Sequence, residues 1–112
     1  MPEKRVLCPE RLRQVPKQFS WVDQRLVRHE YVRRCDCRTL ALYLVLVSVA
    51  DAQGLSYYSD KKLVELLRLS QAELSSARRQ LISVGLIAYE QPLYQVLALE
   101  AYPGFFEKAD RA

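Results

Sequence analysis

The sequence predicts a mainly α domain with a small β hairpin or sheet and an N-terminal extension. Three observations predict it. Residues 36–53 form one long, strongly apolar stretch at helical spacing. Two shorter segments, 60–67 and 71–84, each follow a serine and are separated by three residues. Two strand-like runs, 86–89 and 93–97, then flank Glu90-Gln91-Pro92.

Composition sets the frame. The chain has 112 residues, 50% of them hydrophobic, with 3 Gly and 5 Pro, which fits one packed domain better than two or a disordered chain. The start, Met1-Pro2-Glu3-Lys4-Arg5, does not read as a secretory signal. The longest apolar run, residues 40–50, is about half of the ~20 residues that cross a bilayer, so it reads as a buried helix with no membrane partner. Three cysteines give no disulfide framework, and a reducing cytoplasm is the expected compartment. Charge is uneven. Residues 1–39 hold ten Lys/Arg against five acids, whereas residues 40–112 hold seven against eight. The basic excess belongs to an N-terminal arm, residues 1–35, and reads as a phosphate-contacting extension or as a solvated face.

In the arm, Pro2, Pro9 and Pro16 favour extended chain with at most one short turn. Asp23 is placed to cap a short helix running through Tyr31 or Val32, with Leu26, Val27, Glu30 and Tyr31 at helical spacings. Trp21 reads as a core anchor ahead of an exposed stacking platform. The main body spans residues 36–99. Its first helix carries Leu40, Leu44, Val47 and Ala50 on one stripe and Leu42, Val45, Leu46 and Val49 on the other. A helix apolar nearly all round must be covered on most faces, by the domain or by a second subunit. Gly54 is expected to close it in the left-handed conformation. Residues 55–58 form a strand candidate. Ser59 caps the next helix, with Asp60 at the positive end of its dipole and Leu63, Leu66 and Leu67 facing inward. Arg68-Leu69-Ser70 is a tight turn, and Ser70 with Glu73 fits a capping box. The helix it opens buries Leu74, Ala77, Leu81 and Val84 and stops at Gly85, and Glu90-Gln91-Pro92 joins the hairpin. Residues 100–112 read as a tail, with Phe105 and Phe106 available to dock on the body or on a partner.

The residues that fix this order are Tyr58-Ser59-Asp60-x-x-Leu63, Leu69-Ser70-x-x-x-Leu74 and Leu81-x-x-x-Gly85-Leu86-Ile87. Through them the chain resembles bacterial winged helix-turn-helix domains of MarR-type regulators and replication-initiation proteins. VPKQFSWVDQRLV and ADAQGLSYYSD also resemble small helix-turn-helix proteins of bacterial mobile elements. The resemblance implies a double-stranded DNA partner, with the helix of residues 71–84 in the major groove and the hairpin as a wing. It implies base reading by Gln71, Ala72, Ser75, Ser76 and Arg79, of which Gln71 and Arg79 are long enough for bidentate contacts. Phosphate contacts fall to Ser59, Lys61, Lys62, Arg68 and Ser70, joined by Arg33, Arg34 and Arg38 outside the motif. Arg78 sits nearer the buried side, where it reaches a phosphate or an acidic neighbour. The implied role is regulation of transcription, replication or a mobile element, by a homodimer. Two departures weaken the pattern: the recognition helix has only two basic residues, and the wing tip carries Glu90 where Lys or Arg is usual. The alternative is a winged-helix module for protein–protein contact or dimerisation without DNA reading.

Other chemistries fit poorly. Cys35-Asp36-Cys37 with Cys8 and His29 lacks the C-x₂₋₄-C spacing of structural zinc, so no metal is expected. One histidine, no Gly-rich phosphate loop and no nucleophile motif argue against an enzyme, a cofactor or a small-molecule ligand.

Overall fold

The computed structural model describes residues 3–99. The tail at 100–112, with Phe105 and Phe106, lies outside the described residues. Four α-helices and three strands follow one another as α1 (Arg25–Arg28), α2 (Cys37–Val49), β1 (Leu55–Tyr57), α3 (Asp60–Leu67), α4 (Gln71–Ser83), β2 (Ile87–Glu90) and β3 (Leu93–Val96). Short 3₁₀ turns occur at Pro9–Arg11 and Tyr31–Arg34. The strands form one antiparallel sheet in the order β1-β3-β2, with Tyr57 opposite Leu93 and Tyr89 opposite Tyr94. This mainly α architecture, with α3 and α4 joined by a tight turn and a hairpin following, is consistent with a helix-turn-helix plus wing.

Residues 3–22 run along the outside and are exposed throughout. Trp21 is 72% exposed, so it is not the core anchor its size suggested. The helix read from Asp23 to Tyr31 or Val32 also breaks early. Asp23 does accept the Arg25 N–H at 2.9 Å, but Glu30 takes a left-handed φ of 63° that ends α1 and restarts the chain as a 3₁₀ turn. The break lets Leu26 and Tyr31 both enter the core while Val27 stays 69% exposed.

α2 begins where Asp36 Oδ1 accepts the Thr39 N–H at 2.8 Å. It buries Thr39, Leu42, Tyr43, Leu46 and Val47, which lie three and four residues apart on one face. One strip is open, with Leu44 60% and Val49 37% exposed, while Leu40, Ala41 and Val45 are half-buried, so the described chain covers the helix on most faces but not on this one. The helix stops at Val49, four residues before Gln53, because Ala50 is already extended. Gly54 is therefore no helix cap. Its φ of +85° belongs to the turn that Asp51 organises by accepting the N–H groups of Gln53 and Leu55, each at 2.9 Å. A Cβ on Gly54 would lie 2.5 Å from the Val96 carbonyl oxygen, so the turn and β3 touch backbone to backbone.

Both later helices start as their serines dictate. Ser59 Oγ accepts the Lys62 N–H at 3.1 Å. At Ser70 the capping box is complete: Glu73 N–H donates to Ser70 Oγ at 3.1 Å, and Ser70 N–H donates to Glu73 Oε1 at 2.8 Å. Between them Arg68 adopts φ 59°, and the Leu69 N–H closes on the Val64 carbonyl at 3.2 Å. Within α3 only Leu63 is buried; Leu66, expected inside, is 53% exposed, because two turns of helix present a single narrow face to α2 and α4. α4 buries Leu74, Ala77 and Leu81 and ends at Ser83; Val84, expected on the same buried stripe, is the half-buried cap residue, followed by Gly85 at φ +80°. The β2–β3 hairpin holds a cis Gln91–Pro92 bond.

Candidate nucleic-acid interface

The burial of Leu74, Ala77 and Leu81 turns the other side of α4 outward. Gln71, Ala72, Ser76 and Arg79 are exposed there, and Ser75 is half-buried at the margin. Ala72, Ser76 and Arg79 are spaced four and three apart and so form one strip. Lys61, Lys62, Arg68, Ser59 and Ser70 are likewise exposed, on α3, on the turn, or at the two helix starts. Ser59 and Ser70 use their hydroxyls as acceptors for their own helix N–H groups, which leaves the hydroxyl hydrogen of each to donate outward.

The three arginines outside the motif divide. Arg38 Nη2 pairs with Glu73 Oε2 at 3.0 Å, which brings the start of α2 beside the first turn of α4. Asp36, Arg38, Ala72, Glu73, Ser76 and Ala77 line a cleft of about 210 Å³ between these helices. Arg33 pairs with Glu30 at 3.1 Å, with both side chains well exposed. Arg34 lies 5.2 Å from the centre of the Tyr31 ring. Surface pairs of this kind are worth ~0–1 kcal/mol, so these cations can exchange their partners for phosphates.

Arg78 behaves differently. Its side chain is only 12% exposed, and Nη1 donates to Asp60 Oδ1 and to the Tyr94 hydroxyl, both at 2.8 Å. Its guanidinium also lies 4.4 Å from the centre of the Tyr89 ring, which itself leans on the Tyr94 ring with centroids 4.5 Å apart and planes inclined by 39°. Burial works against the Arg78 charge, but the hydrogen bonds to Asp60 and Tyr94 outweigh it and hold the guanidinium above its ordinary pKa. Reciprocally, the hydrogen bond from Arg78 holds the Asp60 carboxyl below the usual carboxylate range. The acidic neighbour, rather than phosphate, is thus the partner of Arg78. This cluster ties the start of α3, the middle of α4 and both strands of the hairpin together. Asp60 also accepts from Gln71 Nε2 at 2.8 Å, so one residue assigned to base reading is already held by the fold.

Gln80 is a structural residue that sequence reasoning missed. Its Oε1 accepts from the Thr39 hydroxyl at 2.6 Å and from the Asp36 N–H at 3.1 Å, locking α4 to the start of α2. The available signal was two polar residues beside buried stripes, Thr39 and Gln80, whose separation of 41 residues leaves no local pattern. Among the described residues, no three His, Cys, Asp or Glu side chains gather as a metal site, and no helix is long and apolar enough to cross a membrane.

No protein-family model and no curated protein matches the chain. Its fold is similar to that of a chain in a solved structure described as a Rep–DNA complex, with a TM-score of 0.54 and 17% identity over 85% of this chain and 86% of that one.

Proposed function

We propose that this chain is a winged-helix protein that binds double-stranded DNA, with α4 in the major groove. The observation that carries this reading is the open outward strip of α4, Ala72, Ser76 and Arg79, beside the exposed cations Lys61, Lys62 and Arg68. A major groove about 12 Å wide admits one helix, and short side chains let the backbone approach closely. The capping box takes the Ser70 and Glu73 N–H groups, which leaves those of Gln71 and Ala72 in the first turn of α4 for a phosphate. Likeness to the fold of a chain from a Rep–DNA complex supports the same reading, and with the sequence resemblance it favours an initiator-like role over a MarR-type one. The protein is then no enzyme and acts in the cytoplasm.

Homodimerisation is the second part of the reading. It is supported by apolar side chains that the described fold leaves uncovered on the outer face of α2, Leu44 above all. Two-fold pairing would double the phosphate contacts, which matters for a recognition helix with few charges. A salt titration of binding to random-sequence duplex DNA, followed by fluorescence anisotropy, tests the main claim. Binding at ~50 mM salt that weakens steeply towards ~200 mM is the expected result. Absence of binding at the lower salt overturns it in favour of a protein-contact module.

A further inference from the structure

We infer that Asp60 fixes which base Gln71 reads, and that this base is adenine. The inference rests on α4 entering the major groove as proposed above. Asp60 is clamped first. Arg78 Nη1 donates to its Oδ1 at 2.8 Å, Arg78 Nη2 approaches Oδ2 at 3.4 Å, and the guanidinium is itself fixed by Tyr94 and Tyr89. Oδ2 then meets the Gln71 amide at 2.8 Å. An ionised carboxylate can only accept, so the Gln71 amide has one permitted orientation: Nε2 toward Asp60. Oε1 and the second Nε2 hydrogen are left for a ligand.

One acceptor beside one donor matches the major-groove edge of adenine, which offers the N6 amine and the N7 acceptor. It mismatches guanine, whose O6 and N7 are both acceptors. Asp60 touches no base in this scheme and acts as a positioning residue.

The same geometry dictates what Asp60→Asn does. Arg78 has only donors, so it retains the remaining carbonyl oxygen, and the new amino group occupies the place of Oδ2. That amino group donates to Gln71, which must turn Oε1 inward and present its amine outward. Oε1 keeps a second lone pair, so the outward edge again shows one acceptor and one donor, now in exchanged order, which no longer matches N6 and N7 of an adenine at that position.

The experiment selects duplexes from a random library with the wild type, Asp60→Asn, Asp60→Ser and Gln71→Ala. Thermal melts are run on each to confirm folding. Wild type should enrich adenine at one position, Gln71→Ala should show no preference there, and Asp60→Asn should no longer enrich adenine at that position. Asp60→Ser, whose hydroxyl both donates and accepts, permits both amide orientations, so its adenine preference should weaken without vanishing, and it decides the matter if the Asn variant does not fold. Replacing the selected adenine by 7-deazaadenine should weaken the wild type about tenfold and leave Gln71→Ala unchanged. Adenine enrichment at wild-type strength in both folded Asp60 variants overturns the positioning role. Wild-type binding with no Gln71-dependent adenine overturns the whole inference while leaving DNA binding intact. Failure of the wild type to bind any duplex defeats the underlying functional reading instead.

Discussion

Asp60 joins α3 to α4 through a single carboxylate and reaches the hairpin by way of Arg78, so its protonation should be felt in stability. Its pKa is lowered in the folded chain, first by the hydrogen bond from Arg78. A depressed carboxyl contributes stability that is fully present above its unfolded pKa, about 3.9, and is lost as pH falls through the folded value. Urea unfolding of wild type and Asp60→Asn at pH steps from about 5 to 2 should show a shallower acid-side decline in the variant. Asp23, Asp36 and Glu73 are also depressed, so the wild-type slope belongs to several groups and only the difference reports Asp60. Identical slopes would mean that the Arg78 pair does not bias the titration. At this scale the local features were readable in the sequence. The Ser70–Glu73 box spans three residues, and both its hydrogen bonds form. The Asp60–Arg78 pair spans 18 residues, and nothing in sequence spacing selects that acid for that base.

Among the elements, the turn before β1 and the turn after α4 each hold a left-handed glycine, yet their surroundings differ. At Gly85 a Cβ would meet nothing within 4 Å, whereas at Gly54 it would fall 2.5 Å from the Val96 carbonyl oxygen. Gly85→Ala should thus cost only the conformational penalty, roughly 1–2 kcal/mol. Gly54→Ala should cost at least about 1 kcal/mol more, because β3 must move away from a backbone contact that also carries the Val96 N–H to Gly54 carbonyl bond at 2.8 Å. Chemical denaturation of the two variants checks this, and equal losses would show that β3 yields freely. Gly54 also illustrates what sequence could not supply. A glycine after a long apolar run reads as a helix stop, but α2 ends earlier and the glycine serves a contact with a strand 42 residues later. The capped helices and hairpin were legible because caps and turns are local. Which face of α2 stays bare was not, since its apolar residues cover both stripes and only tertiary contacts choose between them.

For the whole molecule, the proposed DNA binding raises the question of where binding free energy comes from when α4 carries little charge. Arg78 is engaged internally, so Arg79 is the cation α4 presents outward. The larger reserve is the exposed arm, with Lys4, Arg5, Arg11, Arg13 and Lys17. It is moored where Ser20 Oγ donates to the Ser48 carbonyl at 3.0 Å, at the far end of α2 from the Arg38–Glu73 pair. Residues 3–19, if fully extended from that mooring, span up to about 55 Å, far enough to follow a phosphate backbone beyond the footprint of α4. Each phosphate neutralised contributes about −0.9 to the slope of log K against log salt. Replacing all five bases by Gln should flatten the slope by up to about 4.5 and weaken specific and random duplexes alike. Base preference in a library selection should not change, because phosphate contacts carry no direct sequence information. Arg79→Ala is the complementary variant: it should relax base preference and shift the slope by no more than about one. If neutralising the arm altered base preference while leaving the slope as it was, the arm would be reading bases in a groove, and the division between an arm that holds and a helix that reads would be wrong.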